Sequence, residues 1–157
     1  MMKKVFCLFL FSYGLSAYCN DDVSLTIVGY IVPKCGFTTE NNNLTLSSNG
    51  FANTELVINC NSPMRVSLQS LNGGLRHQQD IKVNDYNVNW SILDANYSMA
   101  VSAKLLKSAK VLNVNDVLFN SIAKLQIELV EPLIYAGIYQ DVIRIEMTPT
   151  AVSGGVR

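Results

Sequence analysis

Apolar and polar residues alternate with period two along most of this chain. The clearest case is 143–147, where Ile143, Ile145 and Met147 share one phase while Arg144 and Glu146 take the other. Such alternation marks a β-strand with one face buried and one in water. The surrounding stretch, YAGIYQDVIRIEMT, enters through the small residues Ala136-Gly137 and predicts a terminal strand over 138–147. Pro149 and Gly154-Gly155 close it. Earlier, Val23, Leu25, Ile27, Gly29 and Ile31 alternate with Ser24, Thr26 and Tyr30 until Pro33 intervenes. A short Leu44-Thr45-Leu46 run follows the Asn41-Asn42-Asn43 turn, and a β-branched run occupies 56–60. Met64, Val66 and Leu68 then alternate with Arg65, Ser67 and Gln69. Asn72-Gly73-Gly74 breaks the chain strongly. Tyr86, Val88, Trp90 and Ile92 share a face; Tyr97, Met99, Val101 and Ala103 continue the pattern, as does 122–130. Only 103–111, AKLLKSAKV, has helical character, and it is short enough for a loop or one turn of helix. Seven or eight strands at this spacing predict an all-β sandwich forming one domain over 20–157.

The first 19 residues follow a different grammar. Lys3-Lys4 precede an apolar run from Val5 to Leu15, and Ser16-Ala17-Tyr18-Cys19 leads into polar Asn20-Asp21-Asp22. This is the three-part layout of a secretory signal peptide over 1–19, with cleavage after Cys19 or after Ala17. A membrane anchor would need about 20 continuous apolar residues, which the run lacks. The expectation is an exported protein with no membrane span once the leader is removed.

Charge and composition narrow the function classes. The chain carries 12 Lys+Arg and 12 Asp+Glu, so losing Lys3 and Lys4 with the leader leaves two excess negative charges. With no basic stripe, nucleic acid is not an expected partner. Asn, Ser and Thr are abundant while apolar residues stay frequent, the balance of an extracellular β-protein rather than of a disordered one. His77 is the sole histidine, beside Arg76 in a Gly-led loop, and reads as a solvated loop residue, not a catalytic base. Asp21-Asp22 and Asp80/Asp85 read as surface charge, and Asp141 as a residue that orders a strand edge. Gly73-Gly74 and Gly154-Gly155 are isolated pairs with no phosphate-cradling context. No enzymatic role, cofactor or catalytic residue is expected. Trp90 and Tyr97 are candidates for sugar stacking if exposed, with core packing the stronger expectation.

Of four cysteines, Cys7 and Cys19 leave with the leader when cleavage follows Cys19; Cys35 and Cys60 then remain. Outside the cytoplasm a lone pair in a small domain is read as a disulfide. Closing a loop of this length contributes roughly 3 kcal/mol on the chain-entropy account. A metal site would need three or four ligands, and a redox site a close Cys-x-x-Cys pair; neither pattern is present.

The ending AGIYQDVIRIEM resembles the final strand of pilus subunits built by the bacterial chaperone–usher pathway. Val57-Ile58-Asn59-Cys60 followed by Met64-Arg65-Val66-Ser67-Leu68 is similar to the strand pair around the second cysteine of that family, particularly its spore-coat-U-like branch. The leader and the alternating segment before Cys35 fit the same pattern. The resemblance implies an incomplete immunoglobulin-like sandwich whose missing strand is supplied first by a periplasmic chaperone and then by a neighbouring subunit, on the way through an outer-membrane usher to a surface fimbrium. It implies an acceptor groove lined by Ile143, Ile145 and Met147, and a donor strand presenting Val23, Leu25, Ile27, Gly29 and Ile31. The segment before Cys35 is short for a donor plus a full first strand, so 23–31 also reads as the domain's own first strand; the chain would then be a tip subunit that receives a donor and gives none. The competing function is a self-contained secreted β-sandwich, either a binding module or a periplasmic accessory protein.

Overall fold

The computed structural model describes residues 22–79 and 82–150. The leader expected at 1–19 lies outside the described residues, as do Asp21, Asp80 and Gly154-Gly155. The chain divides into two units, residues 1–30 and residues 31–157. In the first, residues 22–30 are exposed and carry no regular structure. All the strands among the described residues belong to the second.

Those strands are β1 (Cys35–Thr39), β2 (Phe51–Cys60), β3 (Met64–Ser70), β4 (Leu75–His77), β5 (Val83–Asn84), β6 (Tyr86–Ile92), β7 (Tyr97–Ser102), β8 (Lys110–Val114), β9 (Leu118–Leu129), β10 (Tyr139–Gln140) and β11 (Ile143–Pro149). One sheet runs in the order β1-β2-β9-β6-β7, a second β11-β3-β8, and a small third β10-β4-β5. Every pairing is antiparallel. The first two sheets bury their inward phases in one common core. Ile58 of β2, Val88, Trp90 and Ile92 of β6 and Leu125 of β9 join Met64, Val66 and Leu68 of β3 there. Alternation makes this possible: successive side chains point to opposite faces, so one phase fills the space between the sheets and the other meets water. Neither sheet closes on itself. The fold is an immunoglobulin-like β-sandwich: the alternation predicts the sandwich, and the resemblance implies its immunoglobulin-like form.

Local departures have identifiable causes. The terminal strand expected over 138–147 is two strands, because at Asp141 the side chain takes over the backbone's bonding: its Oδ1 accepts from Val142 N at 2.7 Å. Ile138 is exposed and outside both. Residues 23–31 form no strand, since no ladder partner is paired with them. Leu44-Thr45-Leu46 is also irregular; Leu46 alone packs against the core. The turn of helix expected within 103–111 is a 3-10 turn over Ala103–Lys107, and β8 already begins at Lys110. That turn buries Ala103 and Leu106, and Ser102 Oγ accepts from Lys104 N at 3.3 Å as its cap. His77 is not a solvated loop residue. It ends β4, paired with Tyr139 of β10, and their rings lie 4.8 Å apart. Gly137, with φ +148°, is what lets the chain pass: a Cβ there would overlap the His77 ring at Nε2.

Candidate strand-docking edge

Among the described residues, β11 is hydrogen-bonded on one side only. Its ladder with β3 runs from Ile143 opposite Ser70 to Pro149 opposite Met64, and the other side is a sheet edge. Ile143, Ile145 and Met147 point inward yet are only half-buried, whereas Leu68 and Val66, directly opposite Ile145 and Met147, are fully buried. Arg144 and Glu146 face water. β1 is the matching edge of the larger sheet. Its Cys35 and Phe37 are half-buried, and Phe37 meets Trp90 edge-on with ring centroids 6.3 Å apart. β1 and β11 lie against each other without sharing a ladder. The result is one flank of the sandwich with two backbone edges that no described strand pairs and a half-covered apolar row, the geometry that accepts an added strand.

A turn at 61–63 organises one end of this flank. Cys60 ends β2 directly opposite Cys35 and is disulfide-bonded to it, so the bridge ties the start of β1 to the end of β2. Asn61 then extends the β1–β2 ladder by one step through its side chain. Its Oδ1 accepts from Lys34 N at 2.6 Å, its Nδ2 donates to Val32 O at 3.0 Å, and its backbone N donates to Lys34 O at 3.2 Å. Pro63 O accepts both Thr150 N and Thr150 Oγ1 at 2.8 Å, which fixes the chain leaving β11 beside the same turn.

Asp141 organises the other end. Its carboxylate accepts from Ser70 Oγ at 2.5 Å, Tyr86 Oη at 2.7 Å, Asn72 N at 2.9 Å and Gly74 N at 3.2 Å. One side chain therefore joins the start of β11 to the end of β3, the start of β6 and the Asn72-Gly73-Gly74 turn. Burial pushes the Tyr86 phenol far above its ordinary pKa, and the bond to Asp141 and the charge of that carboxylate push it further. Tyr86 thus stays protonated and donating. The expectation that Asp141 orders a strand edge holds, with more partners than the sequence could suggest.

The remaining singled-out residues fall into place individually. Val23, Leu25 and Ile27 are 82%, 85% and 94% exposed, and Ile31 81%; Gly29 has open space where a side chain would project. Trp90 is buried in the core and offers no stacking surface. Tyr97 is half-buried, its hydroxyl accepting from Asn115 N at 3.1 Å. Asp85 is partnered by Ser102 Oγ at 2.9 Å and Lys104 Nζ at 3.7 Å, so it is more than loose surface charge. Among the described residues no group of three His, Cys, Asp or Glu side chains is placed to hold a metal ion, and no helix is long and apolar enough to cross a membrane. Two residues of the flank carry no sequence signal of their own. Phe37 lies in a five-residue strand too short to show a period, and Asn61 sits in an unremarkable Asn-Ser-Pro turn.

No family model matches the chain, and no curated protein matches it significantly. Among solved structures it is similar to a chain from the chaperone–tip adhesin complex of CFA/I fimbriae biogenesis, at 17% identity and a TM-score of 0.49. The match covers 76% of this chain but 43% of that one, so the chain spans less than half its length.

Proposed function

We propose that this protein is a non-enzymatic structural subunit of a bacterial surface fibre, exported and assembled by strand donation. One observation carries the reading. A strongly alternating apolar segment, with Val23, Leu25 and Ile27 more than four-fifths exposed, occurs in a chain whose terminal strand is an unpaired edge with a half-covered apolar row. Leaving such a segment in water forgoes roughly 1.5–3 kcal/mol for each large apolar side chain, and an open strand edge invites pairing with another chain. Each feature supplies what the other lacks. A donor strand would add ladder bonds along β11 and place a side chain over the Ile143, Ile145 and Met147 row at every second position. The disulfide fits an oxidising compartment. The likeness of AGIYQDVIRIEM to the last strand of chaperone–usher subunits supplies the partners: a periplasmic chaperone that covers the edge in transit, an outer-membrane usher, and neighbouring subunits. Because the chain has both an edge and a segment to give, a place within the fibre suits it better than a terminating one.

The test is a pair of substitutions in the full exported chain. Leu25→Asp and Ile27→Asp lie where the isolated subunit buries nothing, so they should leave its folding and its chaperone complex intact while abolishing polymer. Unfolding of the subunit by either substitution would make 23–31 its own first strand. A chain that is stable, monomeric and indifferent to a chaperone would instead be a self-contained binding module.

A further inference from the structure

Strand donation does not by itself fix whose edge the 23–31 segment reaches. We propose that Asn61 is a positioning residue that holds 32–34 extended, so that the chain cannot double back there and the segment is delivered to a second copy of this chain. The inference rests on the strand-donation reading.

The alternative to a second copy is self-filling, and the topology makes it close at hand. β1 begins at Cys35 opposite Cys60, β11 ends at Pro149 opposite Met64, and only 61–63 separates the two partner positions. A hairpin at 32–34 would therefore lay the preceding residues antiparallel to β1, along the flank that β1 shares with β11. Two features oppose that reversal. The first is chemical: tight hairpins use turns with positive φ, favouring Asn and Gly, whereas this stretch reads Val32-Pro33-Lys34. Proline holds φ near about −65°, and a β-branched residue resists the left-handed region. The second is the three bonds that Asn61 makes to Val32 and Lys34. In an extended chain the C=O of one residue and the N–H two residues on point to the same side, and the Asn61 amide takes both, at 3.0 Å and 2.6 Å. The amide spans Pro33, which has no N–H to offer. A reversal at 32–34 would break these contacts and leave Lys34 unpaired at the rim of β1. The segment is thus held in readiness for another molecule, and the occupant this chain is equipped for is its own kind, since it carries both the free edge and a segment of matching period.

The experiment compares the full exported chain with two variants, Asn61→Ala and the double substitution Val32→Asn with Pro33→Gly, which installs a hairpin turn. Fibre length is read by electron microscopy and detergent-resistant ladders, and protection of residues 22–31 by limited proteolysis. The native chain should give long ladders with the segment protected only in polymer. The double variant should give monomer with the segment already protected and at least a tenfold drop in polymer, and should refuse a peptide of residues 20–33 that the native subunit accepts. Asn61→Ala should fall between, and decides alone should the double variant fail to form its disulfide. If both variants polymerise like the native chain, with protection confined to polymer, the role of Asn61 is wrong and strand donation stands. If the native chain shows neither polymer nor peptide uptake, strand donation itself fails and this inference with it.

Discussion

Two stretches of this chain share a pattern and meet opposite fates. Tyr86, Val88, Trp90 and Ile92 alternate with polar residues, and each is at most 2% exposed. Val23, Leu25 and Ile27 alternate just as regularly and are more than four-fifths exposed. Periodicity states what a segment can do once it has a partner on each side; it does not supply the partner. β6 lies between β9 and β7 with β3 across the core, whereas 22–31 lies in no ladder. β11 stands between these extremes, with one neighbour, one free edge and an inward row left half-buried. That gradient, from complete strand to half-complete edge to strand without a sheet, is the physical content of the strand-donation proposal.

Trp90→Ala should cost about 3–5 kcal/mol, since the indole fills the centre of the core and the cavity cannot collapse between two sheets. Leu25→Asp, at the exposed pole, should shift the subunit's thermal midpoint by no more than its experimental error. Equivalent losses would show that both segments are built into the folded subunit. Replacing Cys35 and Cys60 together by alanine should remove roughly 3 kcal/mol and lower the export yield; mass spectrometry of periplasmic protein should find no free thiol.

Asp141 sharpens the middle of the gradient. Asp141→Ala would strand the buried Ser70 and Tyr86 hydroxyls and release the start of β11, at about 2–3 kcal/mol. The β11 edge should exchange its amide hydrogens faster as a result. The same cluster gives a pH signature. The Tyr86 phenol has a folded pKa raised by burial and by Asp141, so it favours folding below the unfolded tyrosine value of about 10 and progressively less above it. Stability should therefore fall as pH rises past that value, and Tyr86→Phe should flatten that part of the decline while costing about 1 kcal/mol at neutral pH.

A smaller effect on the subunit, with a large effect on its partner, is expected along β11 itself. Ile145→Asp puts an unpaired charge where a docked strand would remove water, and should abolish capture by the chaperone. Arg144→Ala, one residue away on the outer face, should leave capture within about twofold. Equal losses would mean that both faces of β11 are covered in the complex and that the docking edge lies elsewhere.

What was legible in the sequence follows the same gradient. β3, β6 and the 143–147 strand could be read from alternation because each has one dry face and one wet face. β8 could not, because Lys107-Ser108-Ala109-Lys110 interrupts the apolar phase and only Leu112 and Val114 turn inward. The break between β10 and β11 was hidden for another reason. It depends on Asp141 meeting Ser70 and Tyr86, 71 and 55 residues away in sequence, and no local pattern encodes such a meeting. Asn61 was invisible for the same reason, since its partners Val32 and Lys34 are 29 and 27 residues distant. The disulfide, by contrast, could be read by counting, because only Cys35 and Cys60 lie beyond the first 19 residues.

The most direct test of strand donation is hydrogen exchange over residues 22–31, measured by mass spectrometry on the chaperone-bound subunit and on assembled fibre. In the chaperone complex these amides should exchange at the rate of unstructured chain. In the fibre they should be protected as strongly as those of β6, because each then bonds within a neighbour's sheet. Strong protection already present in the single subunit, unchanged on assembly, would contradict the proposal and make the segment a strand of its own domain.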